Sequence, residues 1–485
     1  MHMRRWSVVA VAATGVVALA TACETETTTL GRSSDPVVLT GADLPQLAGT
    51  DPDLIVAFRH AVVDGEPTWS QVPVQVDERK VVDYGAHPAS NATPGEEGTV
   101  YGGAPIGVAD LQYADPGTFV GPDADPTFDA DDELVVMAYD LGGAPGEDHA
   151  AEPPGVVPGS GVAVEVADPD DPAKVGRIHL FVTDGSLAPD AGRDDVVYDF
   201  ALASGDYRST YRRADGPNPE TSTVRTDVYT VGFSDRWHED TWRVHAGGAT
   251  GVDVLDGNKN QFALSTCGRS NATFADAEGA FVANVDGPLR AIRSYVGANS
   301  GPLTQRTHLL YRDREEIITD LRVHSIPAVM DYLDLSAEAL GATYRSSTVP
   351  GGVLVDGVLD PVGATVPTWE SFDGPQGTIL TAVELTTDVP GLDDAVQWFQ
   401  RDQATPPETQ CWGDSSLYGA AGSNITGGIP NTDPRSTPSA DLRVRRVVQF
   451  QGPATDPTLL PAAAATWSTQ VRDGLDVSAA PHPAP

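Results

Sequence analysis

Apolar residues recur along this chain at every second position far more often than at every third or fourth. Between positions 68 and 78, Trp69, Gln71, Pro73, Gln75 and Asp77 alternate with Ser70, Val72, Val74 and Val76. That is the period of a strand buried on one face. Residues 54–63, 134–139, 176–183, 195–203, 207–212, 222–232 and 240–245 read the same way. Later come 317–324, 344–355, 365–371, 377–386 and 442–451. Turn residues fall roughly every ten positions, a spacing that favours stacked antiparallel sheets over βαβ units. Helical spacing is confined to two short segments, 392–401 and 466–475. The pattern predicts an all-β chain: an N-terminal β-sandwich or barrel-like domain over residues 36–166, then a larger β-supersandwich over 175–451, with few short helices. Pro/Gly/Asp-rich runs at 142–161 and 167–172 mark turns or a domain junction. Residues 452–485 read as a short helix and then a disordered Pro/Ala-rich tail from Val477.

The centre of the pattern is a pair of strands within residues 286–314, joined by a Gly/Asn/Ser/Pro turn at 297–302. Alternation puts Leu289, Ala291, Arg293 and Tyr295 on one face of the first strand, and Arg290, Ile292, Ser294 and Val296 on the other. In the second strand Thr304, Arg306, His308, Leu310 and Arg312 share a face. The register across the turn decides which sets meet. Arg293, Tyr295, Arg306 and His308 are expected near one concave surface, with Trp237 and His238 on its rim.

Composition sharpens this. The 485 residues carry a formal charge of -39, with 69 acids against 30 lysines and arginines. Such a surface excludes nucleic acid and adsorption to anionic lipid by charge. Cations clustered in one hairpin of so acidic a chain suit a polar ligand such as a sugar chain. They suit equally a sheet whose arginines neutralise neighbouring acids.

The N-terminus has Arg4-Arg5, an apolar core at 8–19, and Ala20-Thr-Ala22 directly before Cys23. This resembles a bacterial lipoprotein signal: residues 1–22 would be removed, Cys23 lipidated, and 23–35 would serve as a tether. Ala20 stands where leucine is usual, which leaves open ordinary secretion with cleavage after Ala22. Either route exports the chain, anchored on the outer face of the cell membrane or free, as a monomer that meets the membrane only through its lipid. Apart from Cys23 only Cys267 and Cys411 remain, and in an oxidising compartment the pair is predicted to form a disulfide. Two buried thiols or a metal site are the alternatives.

Two further stretches carry candidate chemistry. Asp235-Arg-Trp-His-Glu-Asp-Thr-Trp242 offers Trp237 and Trp242 as platforms for sugar rings, and His238, Glu239 and Asp240 as polar groups; core tryptophans with flanking charges explain it as well. Residues 123–133 hold six carboxylates. They read first as a solvated Asx-turn loop, and second as a Ca²⁺ site through Asp125, Asp129 and Asp131. No cofactor is required by this reading.

Val72-Pro-Val-Gln-Val-Asp77, together with Asp129-Ala-Asp-Asp-Glu-Leu-Val-Val-Met137, resembles the first domain of secreted polysaccharide-lyase-like proteins. Gly287-Pro-Leu-Arg-Ala-Ile-Arg293 resembles a strand of their larger β-supersandwich, the galactose-mutarotase-like fold. The family includes exo-acting rhamnogalacturonan lyases, so the resemblance implies carbohydrate as the partner. Its motifs are scaffold, and no catalytic residue carries over. The residues themselves offer two chemistries. A lyase needs a group that neutralises a uronate, a base and an acid, and Asn299, Arg306, His308 and Tyr295 supply those types, with Trp237, His238, Arg293 and Trp412 to bind substrate. A glycosidase needs two carboxylates across the bond, for which Glu239, Asp240, Glu370 and Asp414 are candidates. A non-catalytic glycan-binding lipoprotein and a structural envelope lipoprotein are the other readings.

Overall fold

Strand Pro36–Thr40 pairs antiparallel with Glu133–Met137, which pairs in turn with Gln75–Asp77. The computed structural model describes residues 28–64, 66–84, 107–145, 151–204, 219–262, 267, 270–274, 279–298, 301, 303–407, 411 and 416–482. Facing the first sheet, among the described residues, is a second of five strands in the order Asp476–Pro481, Val162–Asp168, Asp171–Val182, Ile55–Val63, Glu66–Val72. The alternating residues meet between them: Val37, Leu39, Leu134 and Val136 from one side, Ile55, Ala57, Val162, Val164, Val166, Ile178 and Leu180 from the other. This is the N-terminal sandwich that the period-2 pattern requires.

Its limits differ from the expected ones in two ways. Strands Val162–Asp168 and Asp171–Val182 form one hairpin, so a boundary at 166–175 would cut a sheet; the Asp/Pro run there makes a tight turn within a domain. The tail expected to be disordered forms strand Asp476–Pro481 on the edge of Val162–Asp168. Its side chains are mostly exposed, so no buried apolar face marks it. The backbone alone closes an open sheet edge.

The larger body is built on a nine-stranded antiparallel sheet. Its order is Ala280–Asp286, Arg290–Val296, Gln305–Tyr311, Arg314–Asp320, Leu442–Gln451, Gly377–Thr387, Glu370–Gly374, Thr343–Ser346, Val353–Leu354. One face meets two four-stranded sheets. The first runs Leu255–Gln261, Ile326–Leu335, Leu417–Ile429, Val396–Gln403; the second runs Val197–Asp199, Ser222–Arg225, Tyr229–Phe233, Glu239–Val244. The all-β expectation is met. Segment 392–401, read as helical, is instead strand Val396–Gln403, paired with Leu417–Ile429. Leu392, Val396 and Phe399 fit helical spacing, but Val, Trp and Phe in one run also suit a strand, and a sheet edge was free to take it.

The opposite face of the nine-stranded sheet is covered at two places. At one end Val135 and Met137 of the three-stranded sheet pack on Leu289, Ile292, Leu309 and Tyr311, so strand Glu133–Met137 is buried on both sides. Further along lies helix Leu460–Arg472, whose Leu460, Ala464, Trp467 and Val471 rest on Trp369, Leu380, Ala382 and Val447. The segments that carry the family resemblance form the joint between the two bodies. The Gln75 amide accepts from the backbone of Leu289 (3.0 Å) and Arg290 (2.9 Å), and donates to the Arg290 carbonyl (3.1 Å). Gly287 is required there, because a Cβ would stand 2.4 Å from the Gln75 amide.

Candidate functional site

The register settles the two faces of the central hairpin. Arg293 pairs with His308, and Tyr295 with Arg306, so the four residues expected together do share one face. That face looks into the sandwich. Along it, Ala291 and Leu310 join one apolar cluster and Tyr295 another, and the charged residues form a seam between them. Arg293, Arg306 and His308 are each 0% exposed.

The seam is closely paired. Arg293 holds Glu220 with both nitrogens at 2.6 and 2.9 Å and lies over the Phe233 ring at 4.2 Å. Arg306 bonds Asn260 and reaches Asp331 at 3.3 Å, and Arg446 holds the same Asp331 at 2.7 Å. The His308 ring bridges the Tyr295 hydroxyl at 3.1 Å and Glu315 at 2.8 Å. Burial, then the nearby Arg306 and Arg293, pushes the His308 pKa well below the ordinary imidazole value. Burial, then the neighbouring Glu239, pushes Glu315 well above the ordinary carboxyl range, and burial raises Glu239 too. Tyr295, His308 and the arginines are thus brought together, but in a closed interior.

The other face opens on a cavity of about 520 Å³ between the N-terminal sandwich, the sheet and the C-terminal helix. Its floor is the outer face of the hairpin and its neighbours: Arg290, Gln305, Thr307, Tyr311, Arg314, Glu316, Ile318, Asp320, Arg443 and Arg445. Its walls add Arg32, Asp35, Arg79, Asp110, Gln112, Tyr113 and Glu133 on one side, with Gln470, Val471 and Leu475 on the other. Six of the chain's 27 arginines line this one cavity. Acids alternate with them. Glu133 takes Arg79 at 2.7 Å, the Tyr113 hydroxyl at 2.9 Å, and Arg290. Glu316 takes Arg314 at 2.8 Å and Arg445 at 2.7 Å, and Arg445 reaches Glu384 at 2.8 Å. Burial opposes ionisation of Glu133 and Glu316, but Arg290 and Arg79 hold the first below the ordinary range, and Arg314 and Arg445 the second. Burial raises the Tyr113 and Tyr311 hydroxyls. The result is a fixed array of donors and acceptors, with Arg290, Tyr311, Arg314 and Glu316 buried in its floor and Arg79, Thr307, Arg443 and Arg445 reaching solvent.

The remaining sequence candidates are scattered or closed in. Trp237 is 1% exposed, packed edge-on to Tyr295 at 4.9 Å, with its indole N–H on the Gly297 carbonyl at 2.8 Å. It is a wall of the buried seam and not a rim platform. His238 is buried against Asp235. Glu370 is buried under Tyr344, Trp398 and Thr381, which leaves it no bond to cleave. Asp240 sits part-buried, raised to about 6 by burial. Asp129 and Asp131 gather with Asp132, and Glu78 and Asp123 form a second group with Asp132, whereas Asp125 turns to the Thr127 hydroxyl at 2.7 Å. The backbone N–H of Asp131 bonds Asp129 at 3.1 Å, that of Asp129 bonds Asp132 at 2.8 Å, and that of Arg79 also bonds Asp132 at 2.8 Å, as an Asx-turn loop requires. Cys267 and Cys411 are joined in a disulfide, Cα atoms 4.9 Å apart. Cys23, Asn299, Trp412 and Asp414 lie outside the described residues.

The outer-face residues were passed over in the sequence because they sit at the even positions of the first strand and the odd positions of the second. Their signal was the alternation of Arg290, Arg314, Glu316, Arg443 and Arg445 with buried neighbours.

No protein-family model matches the chain, and no curated protein does. Among solved structures the chain is similar to the Slr1438 protein of Synechocystis sp. PCC 6803, at 11% identity over 49% of this chain and 97% of that one, with a TM-score of 0.28. It is also similar to a candidate aldose 1-epimerase of Escherichia coli K12, at 10% identity over 46% of this chain and 96% of that one, with a TM-score of 0.24. TM-scores of this size carry no inference about ligand or chemistry.

Proposed function

We propose that this is an exported carbohydrate-recognising protein, held at the cell surface through Cys23, whose ligand occupies the open cleft between the sheet and the N-terminal sandwich. The observation that carries the reading is the cleft's lining: about 520 Å³, within the size range of small-molecule sites, walled by alternating guanidinium, carboxylate, amide and phenol groups. Hydroxyls of a sugar both donate and accept, so they match such an array without needing a net charge in the site. The groups are already locked by one another, which lowers the ordering cost of binding.

Recognition fits the lining better than turnover. The described lining residues include no histidine. Arginines hold the carboxyls of Glu133 and Glu316 ionised, and Tyr113 and Tyr311 keep their protons. General acid–base work needs a group poised near the working pH. The disulfide supports an oxidising compartment.

The test is calorimetry of the soluble chain from residue 24 against neutral and acidic oligosaccharides. Binding is expected, weakened at least about tenfold by Arg443→Ala with Arg445→Ala. Absence of binding across the panel at millimolar concentration, or binding indifferent to those changes, removes the proposal. A second reading is favoured by one observation, the 3.1 Å contact of Tyr295 with His308 beside Arg306. It makes the protein a lyase acting at the inner face, and it predicts unsaturated-uronate absorbance when polyuronates are added.

A further inference from the structure

The buried seam contains one grouping that ion pairing does not complete. Glu239 comes from strand Glu239–Val244, His308 from Gln305–Tyr311 and Glu315 from Arg314–Asp320, so two sheets converge on one point. One donor atom from each lies within 4.8 Å of the others. His308 Nδ1 is 2.8 Å from Glu315 Oε1 and 3.9 Å from Glu239 Oε2. Donors held at 2.0–2.2 Å around a four-coordinate zinc ion stand about 3.3 Å apart, and the two measured separations bracket that figure. We propose that Glu239, His308 and Glu315, with Asn258 as a fourth ligand, bind a divalent transition-metal ion such as Zn²⁺ that ties the nine-stranded sheet to the two sheets facing it.

Four observations support the site. First, two carboxylates face each other in a dry interior, and their charge must be met by a cation or a shared proton. Arg306 and Arg293 act on the glutamates through space, but their ion pairs are with other acids, Arg293 with Glu220 and Arg306 with Asp331. Second, Glu315 is 0% exposed, its Oε2 accepts from no N–H or O–H donor among the described residues, and the group it faces is the Glu239 carboxyl. Third, the Asn258 amide lies 3.4 Å from Glu239 Oε2, with its own Oδ1 unpartnered at 1% exposure. Its two ends are interchangeable by a half-turn of the amide, which would offer the oxygen to the ion. A proton shared by the glutamates would leave that oxygen unsatisfied. Fourth, the ligands have outer partners of the kind metal sites use. The Tyr295 hydroxyl meets His308 Nε2, leaving Nδ1 to coordinate, and the Trp242 indole N–H bonds Glu239 Oε1. A neutral imidazole, two carboxylates and an amide oxygen suit zinc or manganese better than calcium.

The experiment refolds the soluble chain from denaturant in parallel with Zn²⁺, with Co²⁺ and with a chelator, because a chelator cannot reach an ion this deep in the native fold. After desalting, about one equivalent of zinc is expected, with visible d–d bands in the cobalt form and a lower melting temperature in the chelated form. Glu315→Gln keeps the shape of the side chain and is expected to lower metal content to about a tenth of an equivalent or less and to abolish the cobalt bands. Asp131→Asn, in the surface acidic loop, is expected to change neither. Two results would overturn the proposal. If the three refolded samples melt together and hold no metal, the glutamates share a proton. If Glu315→Gln keeps its metal while Asp131→Asn loses it, the ion belongs to the acidic loop.

Discussion

Both faces of the nine-stranded sheet carry arginines and carboxylates, but only on the outer face do some of them reach solvent. On the inner face Arg293, Arg306, His308 and Glu315 are wholly buried. On the outer face Arg445 and Arg443 keep 26% and 54% of their side chains exposed. Alternation distributes residues between faces but does not say which face stays open. That is decided by what is laid against each. Two broad sheets cover the inner face. The outer face is touched at one end by strand Glu133–Met137 and elsewhere by helix Leu460–Arg472, and the gap between those supports is the cleft. An arginine is therefore a structural group or a binding group according to segments that lie elsewhere in the sequence.

The contrast is broken most forcefully by removing an inner arginine. Arg293→Ala leaves Glu220 charged and buried without its partner and is expected to cost about 3–5 kcal/mol in urea unfolding. A loss under about 1 kcal/mol would mean that the interior is wet. The joint between the bodies comes next. Gln75→Ala strands the Leu289 and Arg290 amides and is expected to cost about 1–3 kcal/mol. It should also lower any ligand affinity, since Gln75 ties the N-terminal sheet to the strand of Arg290 in the cleft floor.

Acid tests the supports from another side. Burial, then the adjacent His482, lowers the His179 pKa from 6.5 to about 3. His482 follows the last strand, and its ring lies 5.1 Å from that of His179. The folded form resists a proton that the unfolded chain accepts. The contribution is therefore complete above pH 6.5 and is lost as the pH falls from there towards 3. A melting-temperature profile over that window should fall less steeply in His179→Phe; identical slopes would exclude the histidine as the cause. The smallest change in stability belongs to the outer face. Arg443→Ala should shift unfolding by about 0.5 kcal/mol or less, its partner Asp320 being a rim residue, while binding falls.

Much of the fold was legible in the residues. Period-2 alternation in 68–78 and the hairpin at 286–314 specified strands, faces and an all-β class, and Cys267 and Cys411, the one pair left beside Cys23, pointed to the disulfide. What was illegible depended on distant partners. Residues 476–481 join a sheet with almost no buried side chain to announce it, and Val396–Gln403 is extended because an edge was available. At the site, sequence brought Arg293, Tyr295, Arg306 and His308 to one face correctly, through strand pairing. It was silent on their burial, because the covering sheets come from residues 197–261, 326–335 and 396–429. The outer-face set, Arg290, Arg314, Glu316 and Arg445, was visible in the same alternation.

The most direct measurement is a crystal structure of the protein soaked with the tightest-binding oligosaccharide of the panel. The account predicts a sugar on the outer face, hydrogen-bonded among Thr307, Tyr311, Glu316 and Arg445, with the inner seam unchanged. A sugar seated instead against Tyr295, His308 and Trp237, with the covering sheets parted, would contradict it.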